Sequence, residues 1–117
     1  MMLLALACLV SAPAYPAEVL RIVDGDTVEL RLDLGFGIQL RDKARLWGIN
    51  APERNAVGGT AATGHLAILI PPGSTATAQP KDGGRDKYGR LLLVLFDGQC
   101  RDVNRQMVAD GHAEVMP

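Results

Sequence analysis

Three short segments carry most of the chemistry in this sequence: Val23-Asp24-Gly25-Asp26-Thr27, Arg45-Leu46-Trp47-Gly48-Ile49-Asn50-Ala51-Pro52-Glu53, and Asp86-Lys87-Tyr88-Gly89-Arg90. Together they hold oxygen ligands suited to a hard divalent cation, a carboxylate beyond a proline turn, and two arginines. A cation in an oxygen cage polarises a phosphoryl oxygen, and a nearby carboxylate takes a proton from water. Guanidinium forks match the charge that spreads over a phosphate during displacement. The set suits phosphodiester hydrolysis. Asp-Gly-Asp alone is a common hairpin turn, so its weight comes from the other two segments following it in order.

Positioning such groups needs a rigid scaffold, and the hydrophobic pattern supplies one. Glu18–Val23, Thr27–Leu34 and Ile38–Trp47 read as three strands, with alternation clearest in Val28-Glu29-Leu30-Arg31-Leu32-Asp33-Leu34. Asp24-Gly25-Asp26 and Gly35-Phe36-Gly37 supply the two turns of this meander. Pro52 ends the third strand because it has no amide proton to donate. Thr60–Ile70 reads as a helix with Ala62, Leu66, Leu69 and Ile70 on its buried face, stopped by Pro71-Pro72-Gly73. Ser74–Gln79 reads as a strand, Pro80–Lys87 as a mobile loop and Leu91–Phe96 as a buried strand. Val103–Asp110 forms a second helix, with Asp102 as N-cap, Gly111 at the stop, and Val103, Met107 and Val108 facing the core. No internal repeat or low-complexity tract is visible.

The three chemical segments, taken in order, resemble the staphylococcal nuclease (thermonuclease) family over about residues 18 to 116. The resemblance implies a mainly β fold with two short helices, a five-stranded OB barrel, which the order β-β-β-α-β-β-α also fits. It implies a calcium-dependent phosphodiesterase that cleaves DNA, and RNA as a further substrate, with low sequence specificity and leaves 3′-phosphate ends. By position, Asp26 corresponds to a direct metal ligand, Asn50 to the second acidic ligand and the Ala51 carbonyl to a main-chain ligand. Asn50 departs from the family's aspartate, so a weaker calcium site is expected. Glu53 matches the family's general base, which either takes the proton or orients the water. Arg45 and Arg90 match the phosphate-binding arginines, and Lys87 and Tyr88 the pair that contacts a terminal phosphate. Asp24, Thr27 and Asp86 support the turns and the neighbouring ligands. The positions aligned with the family's base-stacking aromatic are Val115-Met116-Pro117, which supply no ring.

Composition limits the alternatives. A chain of 117 residues with 48% hydrophobic content builds one core, so a single domain over residues 18–117 is expected. Net charge of -1 gives no global basic field, and any polyanion binding must come from local charge. Met1–Val10 followed by Ser11-Ala12-Pro13-Ala14 reads as a short secretory leader, cleaved after Ala14 or Ala17, although no Lys or Arg precedes the apolar run. Residues 1–17 are then a leader or a flexible N-terminus, and the product is secreted or periplasmic. The apolar run is too short to span a membrane, which needs roughly 20 residues. A monomer is expected. Removal of the leader would take Cys8 with it, leaving Cys100 unable to form an internal disulfide.

Other residues have plainer readings. Trp47 reads as barrel packing, and His65 and His112 as surface or helix-end residues without zinc-ligand spacing. The rival function is a noncatalytic OB-type module binding nucleic acid or protein, favoured by Asn50. Retention of Glu53 beside both arginines argues against it, since a carboxylate repels bound phosphate. A phosphodiesterase acting on small nucleotides fits the modest charge but has no positive signal.

Overall fold

In β2 (Thr27–Gly35), Val28, Leu30 and Leu32 turn inward and are buried, while Glu29 and Arg31 face outward into ion pairs with Arg21, Arg41 and Glu18. This period of two is what a sheet with one buried face requires. The computed structural model describes residues 8, 10 and 13–116. β1 (Tyr15–Asp24) and β3 (Ile38–Leu46) flank β2 in antiparallel pairing. β6 (Leu91–Phe96) runs parallel to β3, and β5 (Thr75–Arg85) joins β6 to β1, closing the barrel in the order β1-β2-β3-β6-β5. The fold is therefore the mainly β, five-stranded OB-type barrel with two short helices that the sequence predicts.

α1 (Gly59–Leu69) lays Ala62 and Leu66 on the core, and α2 (Val103–Ala109) adds Val103 and Met107. Asp102 caps α2 by accepting the Arg105 amide at 3.0 Å. A separate two-stranded ladder joins β4 (Ile49–Asn50) to β7 (Glu114–Val115), with Ile49 opposite Val115 and Asn50 opposite Glu114. Sequence reading missed this ladder, because two-residue strands carry no periodic signal.

Three strands have boundaries that differ from expectation. β1 begins at Tyr15, since Tyr15, Pro16 and Ala17 pair with Ala78, Thr77 and Ala76 of β5. β3 stops at Leu46, before the positive φ of Gly48 turns the chain. Trp47 is therefore not barrel packing: it is 37% exposed, donates from Nε1 to Asp82 Oδ2 at 2.9 Å, and has Lys81 Nζ 5.0 Å above its ring. Pro80–Arg85 is not a loop but the second half of β5. Pairing skips from Pro80↔Leu93 to Arg85↔Leu91, and the intervening bulge is taken up by positive φ at Asp82, Gly83 and Gly84. Arg85 anchors its far end through Asp42 Oδ2 at 2.9 Å and the Gly89 carbonyl at 2.6 Å.

With the candidate leader in place, Cys8 and Cys100 form a disulfide with Cα atoms 5.3 Å apart. Most of the candidate leader lies outside the described residues, but its Cys8 is bonded to the turn that follows β6. Among the described residues, no helix is long and apolar enough to cross a membrane.

Two stability predictions follow from these contacts. Closing a span of 92 residues restricts the unfolded chain, so reduction of the full-length protein should cost about 2–4 kcal/mol. Urea midpoints of oxidised protein and of Cys100→Ser measure this, and equal midpoints would refute it. The second concerns acid. Burial acts most strongly on Asp97 and raises its pKa, but the Arg101 and Gln99 amides and the Arg101 guanidinium outweigh it and leave the net shift downward. His65, then Gln106, lower Asp110. A carboxylate lowered in the folded state stabilises fully above its unfolded pKa and loses that contribution as pH falls through the folded value. The part of the urea midpoint that Asp97 and Asp110 contribute should be flat above about pH 5 and fall below about pH 4, with a smaller fall in Asp97→Asn.

Candidate active site

The site begins with a buried carboxylate. Asp26 ends the β1–β2 turn, where Asp24 Oδ1 accepts its amide at 3.1 Å. The Asp26 carboxylate receives Thr27 Oγ1 on Oδ1 at 3.0 Å and the Ala51 amide on Oδ2 at 2.8 Å. Arg45 Nη1 lies 3.2 Å from the same Oδ2. Burial is the strongest influence on this carboxyl and pushes its pKa up, aided by Asp24 and opposed by the Ala51 amide and Arg45.

Arg45 gathers the rest. Its Nη1 donates to the Ile49 carbonyl at 3.0 Å and its Nη2 to Asn50 Oδ1 at 3.2 Å. One guanidinium thus holds an oxygen of Asp26 and an oxygen of Asn50 within 3.2 Å. Met116 Sδ lies 3.6 Å from the same Nη2, and the Met116 amide donates to the Gly48 carbonyl.

Close packing fixes the turn that bears Glu53. A Cβ on Gly25 would come within 2.7 Å of Ala51 Cβ and 2.8 Å of Ala62 Cβ, so the turn of β1–β2 rests directly on α1 and the Ala51 segment. A Cβ on Gly59 would sit 1.7 Å from the Glu53 carbonyl oxygen, so the first turn of α1 lies against the Glu53 backbone. Arg54 clamps the segment from the other side, donating to the Val23 and Ile22 carbonyls at 3.2 Å each. The Glu53 carboxylate itself is exposed and makes no hydrogen bond or ion pair among the described residues. Arg54, Gly25 and Gly59 were missed as site-building residues. Their role is a close approach between distant segments, which leaves no local pattern.

Arg90 immediately precedes β6, the strand whose Leu92 is paired with Arg45. Asp86 Oδ1 accepts the amides of Tyr88 and Arg90 at 2.9 and 3.0 Å, and its Oδ2 accepts Arg90 Nε at 2.8 Å. Burial acts to raise the Asp86 pKa, yet these three donors lower it on balance. The two Nη groups of Arg90 make no hydrogen bond among the described residues, leaving one edge of the fork open. Lys87 Nζ and Arg90 Cζ lie 5.3 and 5.4 Å from the Tyr88 ring centroid, so Lys87, Tyr88 and Arg90 form one exposed basic cluster.

Two histidines that sequence reading set apart come together on the helical side of the barrel. The rings of His65 and His112 stack at 4.4 Å, and His65 Nε2 is 2.6 Å from Asp110 Oδ2. Helix packing, not sequence spacing, brings them together. Among the described residues, no group of three or more His, Cys, Asp or Glu side chains forms a ready metal cage. The oxygens that do gather, around Arg45, are the Asp26 carboxylate, the Asn50 amide oxygen and the Ile49 carbonyl. These are hard oxygens that fit a calcium-type ion and would not select a soft metal.

An OB-type barrel that brings an Asp-Gly-Asp turn, an arginine and a Pro-Glu turn together at one rim is the scaffold of a nuclease-type domain. The staphylococcal nuclease homologue family matches residues 43–117, and the chain belongs to that family. It is 31% identical over 110 residues to endonuclease YhcR of Bacillus subtilis, covering 85% of this chain and 9% of that protein. It is 34% identical over 98 residues to an uncharacterized endonuclease of Escherichia coli O157:H7, covering 84% and 59%. It is also 31% identical over 97 residues to the succinoglycan biosynthesis protein ExoI of Rhizobium meliloti, covering 79% and 48%. The chain thus spans less than two thirds of each of these relatives.

Two glycines in α1 separate the site's packing from helix propensity. Gly59→Ala should cost about 2–4 kcal/mol because its Cβ meets backbone. Gly64→Ala, exposed with nothing within 4 Å of the new Cβ, should gain about 0.5–1 kcal/mol. Thermal midpoints moving in opposite directions would bear this out, and a silent Gly59→Ala would refute the close approach.

Proposed function

We propose that this domain is a calcium-dependent nuclease that hydrolyses DNA, and RNA as a further substrate, with little sequence specificity. The observation that carries the reading is the single Arg45 guanidinium holding oxygens of Asp26 and Asn50, beside the Ala51 segment and the Glu53 turn. Family membership and the endonuclease names of two relatives support it.

Asp26, Asn50 and the Ala51 carbonyl would hold the ion, which when bound supplies electrophilic activation of phosphate and of water. Glu53, unpaired and exposed on a braced turn, takes a proton from the attacking water. Arg90 offers its free Nη edge to the phosphate oxygens, and Asp86 keeps that fork aimed. Arg45 offers its Nε, which makes no hydrogen bond among the described residues. Attack at phosphorus and loss of the 5′-oxygen leave a 3′-phosphate and a 5′-hydroxyl. Lys87 and Tyr88 contact a neighbouring phosphate. We further propose that the domain is exported and acts as a monomer. Cleavage of the leader after Ala14 would leave β1 whole, whereas cleavage after Ala17 would remove three paired residues.

The second reading is a noncatalytic binding module. It draws on the neutral Asn50 and on the Arg45 guanidinium being occupied by protein oxygens.

End-labelled single-stranded DNA, incubated with the domain in calcium or in chelator, distinguishes the two. Glu53→Ala should lower cleavage about a hundredfold to ten-thousandfold. Arg90→Ala should lower it about a hundredfold to a thousandfold with circular dichroism unchanged. Binding without cleavage in calcium would establish the module instead.

A further inference from the structure

The charge count around the ion's donors is unusual. Asp26 is the buried carboxylate among them, and Arg45, 3.2 Å away, cancels its charge. Asn50 adds an oxygen but no charge. Asp24, whose charge also acts on Asp26, has its Oδ1 taken by the Asp26 amide, so the direct donors bring an ion one carboxylate, offset by Arg45. Calcium affinity follows the number of charged ligands, so a second carboxylate would raise it.

The β4–β7 ladder supplies one. Glu114 stands directly opposite Asn50 in antiparallel register, so the two side chains project from the same face of the ladder. Both residues line one cleft of about 510 Å³, together with Ala51, Pro52 and His112. The Glu114 carboxylate makes no hydrogen bond or ion pair among the described residues, so no protein cation competes for it. His112 is stacked on His65, and His65 is bonded to Asp110, so this part of the cleft is held to α1.

We propose that Glu114 supplies the carboxylate that Asn50 lacks, completing the divalent-cation site from across the ladder. The charge has moved from one strand to its partner while remaining in the same cleft. This rests on the calcium-dependent reading above and adds a residue to it.

Calorimetric titration of calcium chloride into the metal-free protein tests the assignment without reference to activity. Glu114→Gln should weaken binding at least about tenfold, with circular dichroism unchanged. Asn50→Asp should tighten it. The double variant Asn50→Asp/Glu114→Gln, which moves the charge back to the first strand, should return to within about threefold of the parent. Asp33→Asn, at the exposed end of β2, removes the same charge elsewhere and should leave binding unchanged. Glu114→Gln binding within twofold of the parent, or an equal loss in Asp33→Asn, would overturn the assignment while leaving the calcium reading intact. A parent protein that takes up no calcium at millimolar concentration would overturn both.

Discussion

The Asp26 carboxylate is the constraint around which the active rim is built. It is almost completely buried, and leaving it unpaired there would cost several kcal/mol. Its partners come from three separated parts of the chain: Thr27 at the start of β2, Arg45 at the end of β3, and the Ala51 amide beyond β4. Satisfying one acid therefore brings together the segments that carry the oxygen donors and the Glu53 turn. Gly25 makes this approach sterically feasible, since any side chain there would collide with Ala51 and Ala62. The Asp26 main chain joins in as well, its carbonyl accepting the Leu46 amide at 2.8 Å.

Asn104 does for the other side of the rim what Asp26 does for the first. It is 3% exposed, donates to the Trp47 and Leu93 carbonyls at 2.9 and 3.1 Å, and accepts the Leu95 amide at 3.1 Å. It thus pins α2 to β6 and to the residue where β3 gives way to the Gly48 turn. The ladder that brings Glu114 opposite Asn50 lies just beyond both anchors. A buried amide with all three bonds satisfied is strongly directional, and it fixes where the end of α2 lies relative to the donors.

One local device serves two purposes in this fold. Asp86-Lys87-Tyr88-Gly89-Arg90 and Asp97-Gly98-Gln99-Cys100-Arg101 share the same turn. In each, the aspartate accepts the amides two and four residues on and the arginine Nε, and the fourth residue has positive φ. In the first turn, Gly89 takes that conformation without strain and the Arg90 Nε is held on Asp86. In the second, Cys100 takes it, which costs a non-glycine residue about 1 kcal/mol, and its side chain bonds to Cys8. Identical hydrogen bonding thus holds Arg90 at one end of β6 and the cysteine that cross-links the N-terminal segment at the other.

Much of this was legible in the sequence by itself. Alternation in Val28–Leu34 fixed the face of β2, the Asp102 and Gly111 signals bounded α2, and the order of elements led to the barrel. The three motif segments singled out Asp26, Arg45, Asn50 and Ala51, which the structure brings together, because the residue types and turns that carry them are local. Tertiary structure decided what depends on distant segments meeting. It carried β5 on to Arg85 through a bulge that no periodicity announces, and it left Trp47 outside the barrel. It also stacked His65 on His112, bonded Cys8 to Cys100 and placed Glu114 opposite Asn50. Nearly all of these are contacts between residues far apart in the chain, and the β5 extension spans a bulge that local pattern does not encode. A sequence records such contacts only through the residue types they tolerate, and a cysteine, a histidine or a glutamate is tolerated on many surfaces. Only the closed barrel, which sets strand register and helix position together, selects the partner.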